Sequence, residues 1–298
     1  MPEMPAGDFA HPADAGQPRK LGILAGGGVL PGRVAAAAAA AGRAVFIVGL
    51  EGFADHSLLA PWPHEVIRIT AGGRILAALR THGCQDIVLI GPVRRPSLLG
   101  LRPDAEGVRL LTRIGRAAFA GDDGLLGAVI RVLAEEGFRV IGAQDVLRDV
   151  LAPAGLLTRA APDDLALSDI RRGVAVARAL GGADVGQGCV VQQGVVLALE
   201  AAEGTDAMLA RCAALARPGP GGVLVKLPKP GQERRADLPA IGPETVRGAA
   251  AAGLRGVAFE AGGTILAERE ASIAAANAAG MFLLGLGPAD FVEGRDQR

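Results

Sequence analysis

The segment spanning residues 226–245 carries the densest group of side chains that could do chemistry in this 298-residue chain. It follows a short apolar run at residues 222–225, which predicts a buried strand, and its prolines discourage a regular helix or sheet. A stiff loop of alternating cations and carboxylates can hold an anion and position a water molecule. The alternative is a solvated connector whose charges face water. The charged side chains are Lys226, Lys229, Glu233, Arg234, Arg235, Asp237 and Glu244.

A second group of polar side chains lies where a predicted strand runs into a helix, at Glu203, Thr205 and Asp206. Either Thr205 or Asp206 could be an ordinary helix N-cap, since Thr and Asp are favoured at that position. A cap would explain one of these two residues, but it would not explain why Glu203 lies beside Asp206. Two carboxylates at a helix start predict a half-site for a hard divalent cation, with Glu203 and Asp206 as ligands.

Three consecutive glycines, Gly26 to Gly28, separate an apolar run at residues 21–25 from a predicted helix at residues 34–41. Glycines at such a turn let backbone N–H groups approach a phosphate at the helix N-terminus. The spacing matches neither the dinucleotide fingerprint nor the P-loop, because the later glycine and the Lys-Ser or Lys-Thr pair are missing. The turn is therefore interpreted as a generic phosphate or nucleotide contact, and the alternative is a tight strand-to-helix turn.

Two further charged motifs lie in the middle of the first half of the chain. Asp122 and Asp123 precede a predicted helix, where Asp is a common N-cap. Arg109, Arg113 and Arg116 recur at helical spacing opposite apolar residues. Such a basic helix face is either solvated or turned towards anionic lipid.

Composition excludes several classes of protein. Lys plus Arg equals Asp plus Glu at 31 each, which argues against a general nucleic-acid binder. Three cysteines without a Cys-x-x-Cys motif predict free, buried thiols in a reducing compartment. All four histidines lie in the first third of the chain, so a Ser-His-Asp or Cys-His centre confined to the C-terminal half is excluded.

Apolar runs of strand length alternate with helical patterns along most of the chain, which predicts an α/β fold. We expect two α/β domains joined by a linker, the first of them Rossmann-like. No run reaches the roughly 20 apolar residues that cross a bilayer, and a cytoplasmic location is expected. The predicted division is a disordered extension at residues 1–19, an N-terminal domain at 20–150, a linker at 151–164, a C-terminal catalytic domain at 165–287 and a frayed tail at 288–298.

The order of these motifs resembles one known family, the UDP-2,3-diacylglucosamine diphosphatases of the LpxI type. The resemblance extends over residues 21–286. It is carried by the Glu-Gly-Thr-Asp-Ala-Met-Leu block that begins at Glu203 and by the loop from Lys229 to Pro239, whereas the N-terminal glycines are less specific. The other matching motifs are Gly22 to Gly28 with Leu30 and Pro31, Gly121 to Asp123, Asp184 to Gln187, Val190 with Val191, Glu200 to Ala202, and Ile241 with Gly242.

The resemblance implies a magnesium-dependent hydrolase of lipid A biosynthesis, with Mn²⁺ as an alternative ion. It would cleave UDP-2,3-diacylglucosamine to UMP and 2,3-diacylglucosamine 1-phosphate, with water attacking the α-phosphorus and the substrate lying between the domains. Asp237 matches the family's catalytic aspartate. Peripheral contact with the inner face of the inner membrane is expected, and a homodimer is compatible with the resemblance. The metal ligands would be Asp237, Asp206 and Glu203, and the substrate-binding residues Gly27, Gly28, Leu30, Pro31, Asp122, Asp123, Thr205, Lys226, Lys229, Gln232 and Arg235.

Three other functions are compatible with the residues taken alone. A nucleotide-sugar oxidoreductase would require the full glycine fingerprint and an acidic ribose ligand. A nucleotidyltransferase would use the glycine turn to hold a nucleoside triphosphate and would release pyrophosphate. A nucleotide-binding module would bind UDP compounds and turn none of them over.

Overall fold

The structure of the protein is a computed structural model that describes residues 18–93 and 122–291, together with Gly107, Arg109 and Arg113. These residues form two α/β domains with separate sheets, which confirms the predicted class. Among them, no helix combines the length and the apolar character that crossing a bilayer requires.

The N-terminal domain is built on a five-stranded parallel sheet. Its strands are β1 (Leu21–Ala25), β2 (Val45–Leu50), β3 (His64–Ile67), β4 (Asp86–Ile90) and β5 (Arg139–Val140). They are arranged in the order β3-β2-β1-β4-β5, so the order reverses between β1 and β4. In open α/β sheets, ligands bind at the carboxyl ends of the strands at such a reversal.

Helices cover both faces of this sheet. They are α1 (Leu30–Ala40), α2 (His56–Leu59), α3 (Gly72–Thr81), α4 (Asp122–Glu135) and α5 (Ala143–Val146). Alternate residues of β2 enter two different apolar clusters, Phe46 with α3 and α4 and Ile47 with α1 and α5. Burial on both faces explains why the central strands are continuous apolar runs in the sequence. Helix α1 begins earlier than predicted because Pro31, whose fixed φ suits a first turn, lies within it.

The ends of β1 and β4 approach each other closely through glycine. A Cβ atom on Gly26 would lie 2.4 Å from the carbonyl oxygen of Gly91, and one on Gly91 would lie 2.5 Å from that of Gly27. Gly91 also has a φ of 97°, which side chains other than glycine rarely adopt. Glycine is therefore required here for close backbone contact.

The C-terminal domain contains eight described strands. They are β6 (Gly155–Leu156), β7 (Gly188–Gln192), β8 (Val195–Leu199), β9 (Val223–Lys226), β10 (Ala240–Ile241), β11 (Gly256–Glu260), β12 (Ile265–Leu266) and β13 (Phe282–Leu286). Six of them form a mixed sheet in the order β6-β13-β11-β9-β7-β8, and β10 and β12 form a separate parallel pair. Strands β9, β11 and β13 are mutually parallel, and β7 forms an antiparallel hairpin with β8 through Gln193 and Gly194.

Four helices pack on this sheet in the described part of the domain. They are α6 (Asp164–Gly182), α7 (Gly204–Cys212), α8 (Pro243–Ala251) and α9 (Arg269–Ala278). The start of α6 is set by Asp163, whose carboxylate accepts a hydrogen bond from the Ala166 N–H at 2.8 Å. Residues 151–164, assigned to the linker, contain β6 and so also contribute an edge strand to the sheet.

The two domains meet through the segment 226–245, which we call the 226–245 loop. Ala236 packs against the apolar cluster on one face of the N-terminal sheet, and Leu238 packs against the cluster on the other face. The side-chain amide of Gln144 donates a hydrogen bond to the Arg234 carbonyl at 3.2 Å. A loop that belongs in sequence to the C-terminal domain is therefore anchored in the N-terminal one.

Candidate active site

A cavity of about 450 Å³ lies between the domains at the carboxyl end of β4. We call it the interdomain cavity. The N-terminal domain contributes Leu30, Gly91, Pro92 and Gln144 to its wall, and the C-terminal domain contributes Thr205, Asp206, Lys226, Arg235, Asp237 and Thr245. The cavity therefore gathers residues from both groups that the sequence singled out as candidates for chemistry.

Asp237 is held in this cavity by its neighbours on the 226–245 loop. Its backbone N–H donates to the Glu233 carbonyl at 2.9 Å, which closes a turn. Ala236 and Leu238, on either side, are packed into the N-terminal domain. The carboxylate is thus fixed from both directions along the chain, as a group that positions a water molecule or a cation must be.

Gln232 determines which oxygen of Asp237 is engaged. Its side-chain carbonyl accepts the Lys229 N–H at 2.8 Å, so its amide group must face the opposite way. That amide donates to Asp237 Oδ2 at 2.6 Å and is 3.4 Å from the side-chain oxygen of Gln187. No described hydrogen bond engages Oδ1, which leaves that oxygen for a ligand in the cavity.

Lys226, at the end of β9, brings a cation to the same cavity although its side chain is almost fully buried, at 6% exposure. Its ammonium donates to Thr205 Oγ1 at 2.7 Å and to the Ala240 carbonyl at 3.2 Å. Burial lowers the pKa of this ammonium, and the carboxylates of Glu200, Asp206 and Asp237 oppose that shift. Asp206 and Asp237 therefore interact electrostatically with this buried cation.

The capping roles proposed for Thr205 and Asp206 are wrong. The N-cap of α7 is Glu203, and its side chain makes no capping hydrogen bond. The Thr205 hydroxyl donates to Glu200 Oε1 at 2.8 Å and accepts from Lys226. Asp206 lies in the first turn of α7 and lines the cavity.

Glu203 is not among the cavity residues. Its carboxylate accepts hydrogen bonds from Arg211 at 2.8 and 3.2 Å, and these bonds lower its pKa. The proposed pairing of Glu203 with Asp206 around one cation therefore stays a prediction, and the geometry brings only Asp206 to Asp237.

The arginines expected beside Asp237 face other carboxylates. Arg235 lines the cavity but pairs with Glu233 at 2.6 Å, and Arg234 pairs with Glu260 at 3.0 Å. Neither arginine is therefore paired with Asp237, and the cation that interacts electrostatically with Asp237 is Lys226.

Lys229 lies outside the interdomain cavity. Its ammonium contacts Asp184 at 2.7 Å, and Lys229 lines a separate cavity of about 290 Å³ on the 226–245 loop. Gln232 lines that second cavity and reaches the interdomain cavity through its hydrogen bond to Asp237. The substrate-binding role of Lys229 stays a prediction.

The glycine-rich turn contacts a residue that lines the cavity. The Gly27 N–H donates to the Pro92 carbonyl at 3.0 Å, so this amide is already engaged. Gly28 has a φ of 76°, which lets the chain turn into α1. Leu30 lines the cavity, whereas Pro31 is buried in the first turn of α1. Direct contact of Gly27, Gly28 and Pro31 with substrate stays a prediction.

Several predictions concern parts of the chain that the structure does not describe. Helix α4 begins at Asp122, but the side chains of Asp122 and Asp123 are outside the described part. Arg116 is also outside it. Arg113 pairs with Glu135 at 2.5 Å and with Glu136, so it is not a free cation for lipid.

The cysteines are free and buried, as predicted. Burial raises the pKa of Cys84 to about 11 and that of Cys189 to about 12. Both thiols stay protonated at neutral pH, so neither is a nucleophile.

Three residues next to the site had not been assigned a role from the sequence. Gln144 and Gln187 line the cavity, and Glu200 contacts Thr205 behind it. Gln187 and Glu200 could have been found from the sequence, because both lie in segments that match the family. Gln144 had no sequence signal, because only the contact between domains gives it a function.

The polar groups of the cavity fit a magnesium ion. Among the described residues, no group of three or more His, Cys, Asp or Glu side chains forms a cage for a metal ion. Mg²⁺ is commonly held by one or two carboxylates, with water and substrate phosphate completing its coordination. Asp206 and Asp237 supply such hard oxygen donors, and neither His nor Cys lines the cavity.

Two α/β domains enclose a cavity that contains a buried lysine and two aspartates, the kind of concave site in which proteins bind small ligands. The family model for the LpxI N-terminal domain matches residues 20–150, and that for the LpxI C-terminal domain matches residues 153–284. The chain belongs to the LpxI family, which confirms the resemblance at that level.

A named member of this family is similar over nearly the whole chain. The chain is 45% identical over 276 residues, 91% of its length and 98% of the relative's, to a protein of Caulobacter vibrioides named UDP-2,3-diacylglucosamine pyrophosphatase LpxI. Similarity of this extent makes the present chain a hydrolase.

Proposed function

We propose that this protein hydrolyses the pyrophosphate of UDP-2,3-diacylglucosamine, releasing UMP and 2,3-diacylglucosamine 1-phosphate for lipid A synthesis. The main support is that Lys226, Asp206 and Asp237 lie together in one interdomain cavity. A pyrophosphate brings negative charge that a cation must neutralise, and its hydrolysis requires a positioned water molecule. The similarity to the Caulobacter protein supports the choice of substrate.

Each side chain in the cavity has a role that follows from its contacts. Lys226 donates two hydrogen bonds to the protein, and an ammonium has a third donor that can bind a phosphate oxygen. Asp237, with Oδ2 fixed by Gln232, uses Oδ1 to hold the attacking water or the cation. Burial of these groups strengthens their electrostatic interactions with the reacting phosphates.

The substrate lies between the domains in this proposal, with its nucleotide against the N-terminal domain. The support is the reversal of strand order between β1 and β4, the kind of position where Rossmann-like domains bind nucleotides. Gly91 and Leu30, which line the cavity at that point, belong to the N-terminal domain.

Asp206 and Asp237 would hold Mg²⁺, or Mn²⁺ in its place. When bound, the ion would neutralise charge on the phosphate oxygens and orient the pyrophosphate. The two carboxylates provide what the protein must supply, a fixed pair of hard donors on the side of the cavity formed by the C-terminal domain.

Removal of metal tests this assignment. We expect EDTA to abolish turnover and Mg²⁺ or Mn²⁺ to restore it. Asp206→Asn, which removes a ligand charge, should raise the metal concentration for half-maximal activity by about 10-fold or more. Mn²⁺ binding, followed by electron paramagnetic resonance, should weaken to the same degree.

Glu203→Gln is the informative comparison, because Glu203 pairs with Arg211 away from the cavity. We expect it to change the metal requirement less than Asp206→Asn does. Equal effects of the two variants would restore Glu203 as a ligand. Full turnover in exhaustively chelated buffer would refute the metal requirement.

The reaction itself is tested with purified protein, UDP-2,3-diacylglucosamine and Mg²⁺ in oxygen-18 water. We expect UMP and 2,3-diacylglucosamine 1-phosphate as products. Label in UMP would support attack on the α-phosphorus, as the resemblance implies, and label in the sugar phosphate would place the attack on the β-phosphorus. Substrate binding without turnover would refute the proposed function and favour a nucleotide-binding module.

A further inference from the structure

Behind the interdomain cavity, three polar side chains form a chain of hydrogen bonds that ends at a buried carboxylate. Lys226 Nζ lies 2.7 Å from Thr205 Oγ1, which lies 2.8 Å from Glu200 Oε1. All three residues are less than one-tenth exposed. Lys226 and Thr205 line the cavity, whereas Glu200 lies behind them.

The direction of each hydrogen bond follows from the chemistry of the groups. An ammonium can only donate, so Thr205 Oγ1 accepts from Lys226. The single hydroxyl proton of Thr205 must then be donated to Glu200. Glu200 Oε1 is therefore an acceptor, and the position of Lys226 depends on it through one intervening hydroxyl.

Two glycines close the backbone over Glu200 and keep it from the substrate. A Cβ atom on Gly186 would lie 2.1 Å from the Glu200 carbonyl oxygen, and one on Gly188 would lie 2.5 Å from Oε2. Oε2 is buried and has no hydrogen-bond partner among the described residues. A carboxylate enclosed in this way cannot contact a ligand in the cavity.

A buried carboxylate with one unsatisfied oxygen is costly unless a nearby positive charge compensates it. Lys226 is the nearby cation, and it is also buried. Among the carboxylates that oppose the lowering of the Lys226 pKa by burial, Glu200 has the largest effect, followed by Asp206 and Asp237. Each of the two buried charges therefore stabilises the other.

We propose that Glu200 is a positioning residue for hydrolysis, which holds the Lys226 ammonium against the reacting pyrophosphate through the Thr205 hydroxyl. The inference rests on the proposed function for the identity of the bound anion. It assigns a role to a side chain that does not touch the substrate. It also explains why a Thr, with both a donor and an acceptor, occupies position 205.

Glu200→Gln tests this role, because the amide oxygen can still accept from Thr205 while the charge is lost. We expect kcat to fall about 10- to 100-fold, as when the support of a substrate-contacting group is removed. The value of kcat/KM should fall by a similar factor, since the lost interaction acts in the transition state. Glu200→Asp, which keeps the charge, should recover part of the loss.

Asp169→Asn is the matched control. Asp169 is a buried carboxylate of the same domain, and it accepts hydrogen bonds from the backbone N–H groups of Gln193 and Gly194. A purely structural role for Glu200 predicts that both variants lower the melting temperature and leave kcat of the folded fraction alone. That result would overturn the proposal.

A double-mutant cycle tests whether Glu200 acts through Thr205. Thr205→Val removes the hydroxyl with little change in shape and should lower kcat about as much as Glu200→Gln. Because both changes break one chain, the double variant should lose no more than the larger single loss. If the kcat losses of the two single variants multiply in the double variant, the two residues act independently, and the proposal is overturned.

A spectroscopic measurement separates this inference from the proposed function. The sequence contains three lysines, Lys20, Lys226 and Lys229, so protein labelled with ¹⁵N-lysine has three Nζ positions. The signal lost in Lys226→Arg identifies Lys226. We expect that signal to shift or broaden in Glu200→Gln and Thr205→Val and to stay unchanged in Asp169→Asn.

An unchanged Lys226 signal in Glu200→Gln would refute the positioning role whether or not the substrate is correct. If the wild type does not hydrolyse UDP-2,3-diacylglucosamine while the signal behaves as expected, the proposed function fails and the link between Glu200 and Lys226 stands.

Discussion

Asp237→Ala will fold and bind UDP-2,3-diacylglucosamine, and it will lose turnover by about 10²- to 10⁴-fold. The reason is that Asp237 is the carboxylate of the 226–245 loop that lines the interdomain cavity, with its Oδ2 held by Gln232. Ala236 and Leu238 anchor the backbone in the N-terminal domain whatever the side chain at 237. Removing the carboxylate therefore removes the reactive group and spares the loop.

Asp237→Asn is the sharper form of this experiment. Asn keeps an oxygen that can accept the hydrogen bond from the Gln232 side-chain amide. Asp237→Ala, by contrast, leaves that buried amide without its partner. If Asp237 is catalytic, both variants lose turnover and the Asn variant melts close to the wild type. If Asp237 is structural, Asn should restore both stability and most of the turnover.

Glu244→Gln provides the control on the same loop. Glu244 is exposed, pairs with Arg247 and does not line the cavity. We expect wild-type kinetics from it. Turnover of Asp237→Ala within a few-fold of wild type, or a melting temperature far below it, would show that the centre of the reaction lies elsewhere.

Lys226→Met will lower kcat/KM by about 10²- to 10³-fold, the typical loss when a donor to developing charge is removed. Lys226 is a buried cation of the cavity that interacts electrostatically with Asp206 and Asp237, whereas the described arginines of the 226–245 loop pair with Glu233 and Glu260. No other described side chain of the loop offers the same charge at that point. Both kcat and substrate affinity should fall.

The same variant should also be less stable, because it leaves the buried Glu200 without its compensating charge. Lys226→Met combined with Glu200→Gln removes both charges and should recover much of the lost melting temperature. Turnover should remain low in the double variant. Recovery of turnover together with stability would show that Lys226 acts only in folding.

The regular elements of the fold were predictable from local patterns. Strands β1 and β9 lie at the apolar runs 21–25 and 222–225, where the structure has Leu21–Ala25 and Val223–Lys226. Each is buried on the sheet, so a continuous apolar run is a sufficient signal. The two-residue strands β6, β10 and β12 were missed because they are too short to show a period and form only when their partners are in place.

The candidate site was predictable in composition but not in arrangement. Lys226, Thr205, Asp206 and Asp237 were expected from their types and positions, and the structure brings them to one cavity. Glu203 and Asp206 are three positions apart, yet only Asp206 lines that cavity. Gly204, with a φ of 80°, turns the chain between them, and Arg211 engages Glu203.

By itself, the sequence determined the α/β class, the buried cysteines, the glycine turns and the motifs that indicate a hydrolase of the LpxI type. These features depend on local preference and on residue type. The tertiary structure decided which charges neutralise each other, because pairing depends on distances between segments far apart in the chain. Arg234 pairs with Glu260, and Arg235 pairs with Glu233. Lys226, linked to Glu200 through Thr205, is the cation that interacts with Asp206 and Asp237.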